Sequence, residues 1–126
     1  MMGQSVLFAL ATMAAAVEDR EVPSICHSQL AAGQKFEIET TDQVFRAQLV
    51  NRSTGECQMA LSADGTHFSP ARTIYLLGAT AGPQPPQMLV LMHEVKVGLK
   101  MELGLGDLEQ KHRLITGEVK AIRLGE

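Results

Sequence analysis

The stretch 89–105 reads LVLMHEVKVGLKMELGL and is the clearest structural signal in the chain. Apart from His93, its odd-numbered positions are apolar, and from Glu94 onward its even-numbered positions are charged residues or glycine. A period of two is typical of a half-buried β-strand. The stretch is much longer than an ordinary strand of about five or six residues. We therefore expect β structure with the odd side chains inward and a bend or bulge at Gly98.

Three shorter alternating runs precede this stretch and are joined by turn residues. Short connections between such runs, including the hairpin signal Asp64-Gly65, predict a three-stranded antiparallel meander. The residues expected to face inward are Phe36 and Ile38, then Phe45, Ala47 and Leu49, then Cys57, Met59 and Leu61.

Two more strands complete the predicted fold, one over 73–77 and one over 113–124 with a bulge at Thr116-Gly117. Between them, the glycines and prolines of 78–87 predict the longest loop. No amphipathic crossover helix separates the strands, which excludes a parallel α/β fold. The predicted class is mainly β, a small antiparallel barrel or sandwich of six to seven short strands with one N-terminal helix.

The N-terminal segment 5–17, SVLFALATMAAAV, is apolar on every side. It is shorter than the roughly 20 residues that span a bilayer, so no stable membrane span is expected. It is interpreted as a retained helix that ends before Pro23 in a cytoplasmic protein. The alternative is a signal peptide over 1–16 on an exported protein, although residues 1–4 lack a basic residue. The expected division of the chain is an N-terminal helix or signal peptide within 1–22 and a single β domain over 23–126.

A retained helix over 5–17 would present more apolar surface than one small domain covers. Large exposed apolar patches usually mark interfaces, and a symmetric dimer is the commonest way to bury them. We therefore expect a homodimer or higher oligomer through this helix. Its apolar side chains include Leu7, Phe8, Leu10, Met13 and Val17.

The charge pattern argues against nucleic acid as a partner. The formal net charge is -3 at pH 7, the basic residues are scattered, and the chain has no Trp. Nucleic-acid binding relies on clustered Lys and Arg, and single strands need aromatic platforms for stacking.

The cysteines and histidines carry no local metal motif. Cys26 and Cys57 do not form a CxxC pair, and no two histidines stand at i, i+2 or i, i+4. No metal, cofactor or catalytic residue is expected from the sequence. The weaker alternative is a metal site assembled in space from Cys26, His27, Cys57 and His67.

His93 is the one candidate ligand-binding residue, because it stands where the alternation demands an apolar side chain. A buried imidazole needs a hydrogen-bond partner, so His93 is interpreted first as a satisfied core or interface histidine. The functional alternative is a group in a pocket, or one sensitive to pH.

The acidic residues Glu37, Glu39, Glu94 and Glu102 are expected on solvated outer faces, and no phosphate-binding motif occurs. The leading hypothesis is a non-enzymatic binding or protein-interaction module of unknown ligand. The alternatives are a small-molecule-binding protein or small enzyme with a pocket near His93, and an exported β domain.

Overall fold

The computed structural model describes residues 20–81, 91–107 and 112–125. A 3₁₀ turn, His27–Gln29, follows the second strand, and no α-helix occurs in these residues. The mainly β class is therefore confirmed for the described part of the chain. Its strands are β1 Arg20–Val22, β2 Ser24–Cys26, β3 Lys35–Thr40, β4 Val44–Asn51, β5 Glu56–Ser62, β6 Arg72–Thr80, β7 Leu91–Met92, β8 Glu94–Lys96, β9 Lys100–Leu105 and β10 Arg113–Leu124.

The main sheet closes on itself through antiparallel pairs. The pairing runs from β10 through β3, β4, β5 and β6 to β9, and β9 pairs with β10 again. The predicted meander is β3, β4 and β5. Two short strands extend the ring, β1 along β10 and β7 along β6. Closure leaves no open edge among the six ring strands, and open edges are where sheets aggregate.

The last strand, β10, closes the ring by serving two neighbours. Its first part pairs with β9 and its second part with β3, and the register shifts between Ile115 and Glu118. The bulge predicted at Thr116-Gly117 is confirmed. A Cβ atom at Gly117 would collide with Oγ1 of Thr41 and with the carboxylate of Asp42. Only glycine allows the bulge to approach the β3–β4 turn this closely.

The interior of the ring is filled by the alternating side chains of its strands. The predicted inward residues of β3 and β4 are buried, and so are those of β5 except Leu61, which is half-buried against the core. Because successive side chains on a strand point to opposite faces, one apolar face per strand is enough to build this core. The largest fully buried apolar side chains are Phe45, Ile38, Leu49, Met59, Ile74, Leu76, Met101, Leu103, Ile122, Val95 and Val119.

The prediction of one bent strand over 89–105 is wrong in its middle. The described part forms three strands, β7, β8 and β9, and Gly98 lies in a turn with φ +98°. Val97 is 38% exposed although the alternation places it inward, whereas Leu103 is fully buried as expected. The backbone explains the difference, because β8 leaves the main sheet and the N–H of Val97 donates to the carbonyl of Pro23.

A two-stranded ribbon, formed by β2 and β8, lies beside the closed sheet. Its register pairs Ser24 with Lys96, Ile25 with Val95, and Cys26 with Glu94. The side chains of Ile25 and Val95 are buried and belong to the same apolar core as the ring strands. The ribbon therefore covers part of the interior and brings residues from two distant parts of the chain together.

The apolar segment 5–17, with its predicted helix and the alternative signal peptide, lies outside the described residues. The boundary drawn at 22/23 needs correction, because Arg20–Val22, assigned to the helical segment, form a strand paired with β10. The loop predicted from 78 also begins later, since β6 continues to Thr80 and its last residues are buried.

No helix in the described residues is long and apolar enough to cross a membrane.

Candidate functional site

His93 joins the main sheet to the ribbon. Its N–H donates to the carbonyl of Leu77 at 3.0 Å, and its carbonyl accepts from the N–H of His27 at 3.3 Å. Its φ is +65°, and it is the only non-glycine residue in the described part of the chain with a positive φ. The side chain is exposed, so the expectation that alternation turns His93 inward is wrong. The left-handed backbone at this residue breaks the alternation.

The backbone of His93 is strained. A left-handed conformation costs an L-residue with a Cβ atom about 1–2 kcal/mol, although histidine tolerates it better than most residues. Two backbone hydrogen bonds hold the residue in this conformation, one to Leu77 on β6 and one to His27 in the turn after β2. Strained backbone of this kind is concentrated at functional sites. This feature makes His93 a candidate functional residue.

His27 lies under His93 and is almost completely buried, at 1% exposure. Its Nδ1 is 2.6 Å from the carbonyl oxygen of Arg52, and its Nε2 is 3.1 Å from Nδ1 of His93. The two imidazole rings stand edge to face, with centroids 4.9 Å apart and an interplanar angle of 86°. We call these two residues the histidine pair.

The hydrogen bonds fix the protons of the neutral histidine pair. A carbonyl oxygen only accepts, so Nδ1 of His27 must carry the proton that it donates to Arg52. Nε2 of neutral His27 then bears a lone pair and accepts from Nδ1–H of His93. The remaining nitrogen of His93, Nε2, is left with a lone pair. The arrangement is a chain of two hydrogen bonds that runs from the Arg52 carbonyl through the buried ring of His27 to the exposed ring of His93.

The loop between β4 and β5 holds His27 in place. The side-chain oxygen of Asn51 accepts from the N–H groups of Ser53 and Thr54, which shapes the loop that presents the Arg52 carbonyl. Gly55 then has φ +81°, and a Cβ atom there would lie 2.9 Å from the His27 ring and 2.5 Å from a backbone oxygen of β6. The position of His27 therefore depends on a glycine at 55.

Burial lowers the pKa of His27 below its ordinary value. The hydrogen bond to the Arg52 carbonyl opposes this effect because it favours the charged ring, and the nearby His93 lowers the pKa further. Desolvation is the largest cause, since a charged imidazole loses its water in this position. The folded protein therefore keeps His27 neutral at pH values where an unfolded chain already protonates it.

Acid is expected to destabilise the protein through His27. An unfolded histidine has a pKa of about 6.5, and the folded pKa of His27 is lower, so below that pH the unfolded state binds more protons. This contribution to stability is complete above the unfolded pKa and is lost as the pH falls through the folded pKa. Urea denaturation at several pH values measures it.

The control for this prediction is His67, which is exposed and pairs with Asp64 at 2.8 Å. His27→Gln should flatten the loss of stability just below about pH 6.5, whereas His67→Gln should leave His27's contribution in place. Identical profiles for wild type and His27→Gln would show that His27 is not the group responsible.

A cavity of about 290 Å³ lies along the ribbon, and its lining includes the chain neighbours of the histidine pair but neither histidine. Cys26 and Glu94 face each other across the ribbon and are the chain neighbours of His27 and His93. The volume is just below the range for small-molecule sites, which begins at roughly 300 Å³. The residues that line the cavity are Ser24, Ile25, Cys26, Gln29, Leu30, Glu94 and Leu124.

The two cysteines differ sharply in environment, and neither is in a disulfide. Cys26 is partly exposed in the cavity, with Sγ 3.2 Å from Oγ of Ser28. Cys57 is fully buried in the core, and burial, helped by the charge of Glu56, raises its pKa to about 12. Thiolate is the reactive form, so Cys57 is inert in the folded protein.

Iodoacetamide is expected to alkylate Cys26 and to leave Cys57 unmodified in the native protein. The reagent can reach the partly exposed thiol of Cys26 but not the buried thiol of Cys57, and the raised pKa of Cys57 also keeps it in the unreactive thiol form. Intact mass and peptide mapping measure the modification, and the same reaction in urea should modify both thiols. Native labelling of Cys57 at the rate of Cys26 would contradict the burial of β5.

The weaker metal alternative, a site from Cys26, His27, Cys57 and His67, is not assembled. His67 is engaged with Asp64 in an exposed turn. His112 is likewise paired with Asp107, at 2.8 Å, across the β9–β10 connection. Within the described ranges, no group of three or more His, Cys, Asp or Glu side chains is placed to hold a metal ion.

The acidic residues have mixed positions. Glu37 and Glu39 lie on the outer face as expected, where both bind the guanidinium of Arg123. Glu102 is only 7% exposed, so its expected place on a solvated face is wrong. It lies between β6 and β10, opposite Gly78 and 3.2 Å from the guanidinium of Arg113, which compensates its burial.

The sequence pointed to His27 only as a member of the weaker metal alternative, and its pairing with His93 was not predicted. His27 is far from His93 along the chain, and only the pairing of β2 with β8 brings the rings together. The one sequence signal was the break in alternation at His93, which marked half of the pair.

No family model matches the chain, and no match was found among curated proteins or solved structures. The class that fold and site define is a mainly β protein with a buried–exposed histidine pair and a small cavity along the ribbon.

Proposed function

We propose that the protein is a non-enzymatic binding module, in which a small antiparallel barrel serves as a rigid scaffold for a binding site at the ribbon. The site consists of the histidine pair and the adjoining cavity. One observation carries the proposal: His93 keeps a strained backbone while its ring is held against buried His27. A purely structural junction at this point would be satisfied by glycine without that strain.

The lining of the cavity suits a small polar ligand that has one apolar side. Ile25, Leu30 and Leu124 line it with apolar surface, while Ser24, Gln29 and Glu94 offer hydrogen-bonding groups. Glu94 is the one lining residue with a formal charge at neutral pH. A carboxylate in such a place favours ligands that carry an amine or another hydrogen-bond donor over carboxylic acids.

The test is a titration of full-length protein with small amine and carboxylic-acid fragments, followed by ¹H–¹⁵N NMR. We expect amines to shift the signals of Ser24, Cys26 and Gln29, and Glu94→Gln to abolish the shifts. Glu118→Gln is the matched control, because Glu118 is a partly exposed strand residue that does not line this cavity. Shifts that ignore the cavity, or that survive Glu94→Gln unchanged, would reject it as the binding site.

A second candidate, a small enzyme, is favoured by the hydrogen-bond chain itself. When both histidines are neutral, Nε2 of the exposed His93 ring has a free lone pair, as a general base requires. Hydrolysis of a simple activated ester by wild type, lost in His93→Asn, would favour this candidate over the binding module.

Self-association stays a proposal that rests on the apolar sequence of 5–17. Light scattering should find a dimer or larger species for the full chain and a smaller one for a chain beginning at Arg20. This truncation keeps β1 intact, because β1 begins at Arg20. A full chain that is monomeric at high concentration would rule out the interface.

A further inference from the structure

We infer that the histidine pair binds one divalent transition-metal ion, through Nε2 of His27 and Nδ1 of His93. The inference deepens the proposed function, since it names a ligand class for one part of that binding site. Neither His67 nor His112 has a second imidazole as its partner, because each pairs with an aspartate.

The distance between the two nitrogens suits a shared ion. Nε2 of His27 and Nδ1 of His93 are 3.1 Å apart. Imidazole nitrogens bind zinc at about 2.0–2.1 Å, so two of them on one ion stand about 2.9 Å apart at a right angle and about 3.4 Å apart at the tetrahedral angle. The observed separation lies between these values. To chelate an ion, each ring must turn until its lone pair points at the ion instead of at the other nitrogen.

The hydrogen bond of His27 to Arg52 is a second, independent observation. Histidines that bind metals nearly always donate their other ring N–H to a carboxylate, carbonyl or water, which fixes the tautomer and orients the ring. Nδ1 of His27 makes such a bond to the Arg52 carbonyl at 2.6 Å. The lone pair of Nε2 is thereby aimed toward His93 before any ion arrives.

The proton balance of binding is simple. In the metal-free pair, Nδ1 of His93 holds the proton that it donates to His27. The ion takes the place of this proton, and Nδ1 of His93 releases the proton to water. Nε2 of His93 in turn takes up one proton from water. Both rings stay neutral, no net proton is released, and His93 presents an N–H to solvent.

The ion is of the kind that imidazole prefers. Nitrogen ligands suit Cu²⁺, Ni²⁺ and Zn²⁺ rather than Mg²⁺ or Ca²⁺, and Cu²⁺ binds such ligands most tightly. No third His, Cys, Asp or Glu side chain joins the pair in the described part of the chain. Water or an outside ligand then completes the coordination, as in metal sites that keep open positions.

The experiment uses untagged full-length protein titrated with Cu²⁺, Ni²⁺ and Zn²⁺ salts by calorimetry. The bound Cu²⁺ is examined by electron paramagnetic resonance. We expect one equivalent of each ion to bind, with Cu²⁺ tightest, and the Cu²⁺ spectrum to show coupling to two nitrogens. In the wild type, Cu²⁺ should also broaden the NMR signals of His27 and His93 before those of His67 and His112.

His93→Asn is the matched variant, because asparagine accepts the left-handed backbone and its amide can still donate to His27. Its affinity for Cu²⁺ should fall at least about tenfold. His67→Asn should bind like wild type. Equal affinity in His93→Asn, or NMR broadening centred on His67 or His112, would overturn the inference even if a variant folded poorly.

The metal inference and the proposed cavity fail separately. Amine fragments that bind while Cu²⁺ does not reach the histidine pair would overturn the metal site alone. Cu²⁺ bound by the histidine pair without any fragment at the cavity would support the metal site and reject the cavity as a ligand site.

Discussion

Gly55→Ala is expected to lower the free energy of unfolding by about 3 kcal/mol, among the larger effects for one added methyl group. Gly55 has φ +81°, and an added Cβ atom would lie 2.5 Å from the carbonyl oxygen of Leu76 and 2.9 Å from the His27 ring. The backbone of β6 cannot yield easily, because the N–H of Leu76 donates to the carbonyl of Gly55 itself. Urea denaturation measures the loss.

Gly33→Ala separates backbone strain from the clash at Gly55. Gly33 has a similar φ, +89°, but nothing lies within 4 Å of an added Cβ atom. This variant should lose only the strain of a left-handed alanine, about 1–2 kcal/mol. Equal losses at the two glycines would mean that the loop at 51–55 gives way and does not hold His27.

Phe45→Ala is expected to cost about 3–5 kcal/mol, enough to unfold much of a marginally stable protein. Phe45 lies at the centre of the ring, on β4, and is fully buried. Its register partners are Ile38 on β3 and Leu61 on β5, so the cavity left by alanine would open between three strands. Thermal and urea unfolding both measure this effect.

Phe68→Ala is the matched control for Phe45→Ala. Phe68 is only half-buried, and its ring lies under the guanidinium of Arg46. The distance from Cζ of Arg46 to the centroid of the ring is 4.1 Å. Loss of this exposed cation–π contact should cost about 1 kcal/mol. A similar cost for both phenylalanines would contradict the placement of Phe45 inside the ring.

The strands of the ring could be predicted because their pattern is local. On β3 and β4, each strand needs one apolar face, so Phe36, Ile38 and Phe45 reveal their own orientation. The bulge at Thr116-Gly117 was also visible, because glycine in a strand marks a close approach of backbone.

The middle of 89–105 could not be predicted, since alternation does not reveal which sheet a strand joins. Val97 and Leu103 look alike in sequence, yet Val97 directly follows β8, which pairs with β2, while Leu103 lies on β9, which pairs with β6 and β10. The histidine pair depends on the same long-range pairing. The pattern of residues near His93 therefore contains no information about His27.

The double pairing of β10 also governs the order in which the protein can form during synthesis. On the ribosome, β3 and β9 emerge before β10. Ile38 on β3 therefore pairs with Ile122 on β10 only after almost the whole ring has been synthesised. Contacts between such distant residues slow folding, and strand edges exposed meanwhile invite aggregation. The meander of β3, β4 and β5 can assemble during synthesis. The ring can close only after β10 has left the ribosome and paired with both β3 and β9.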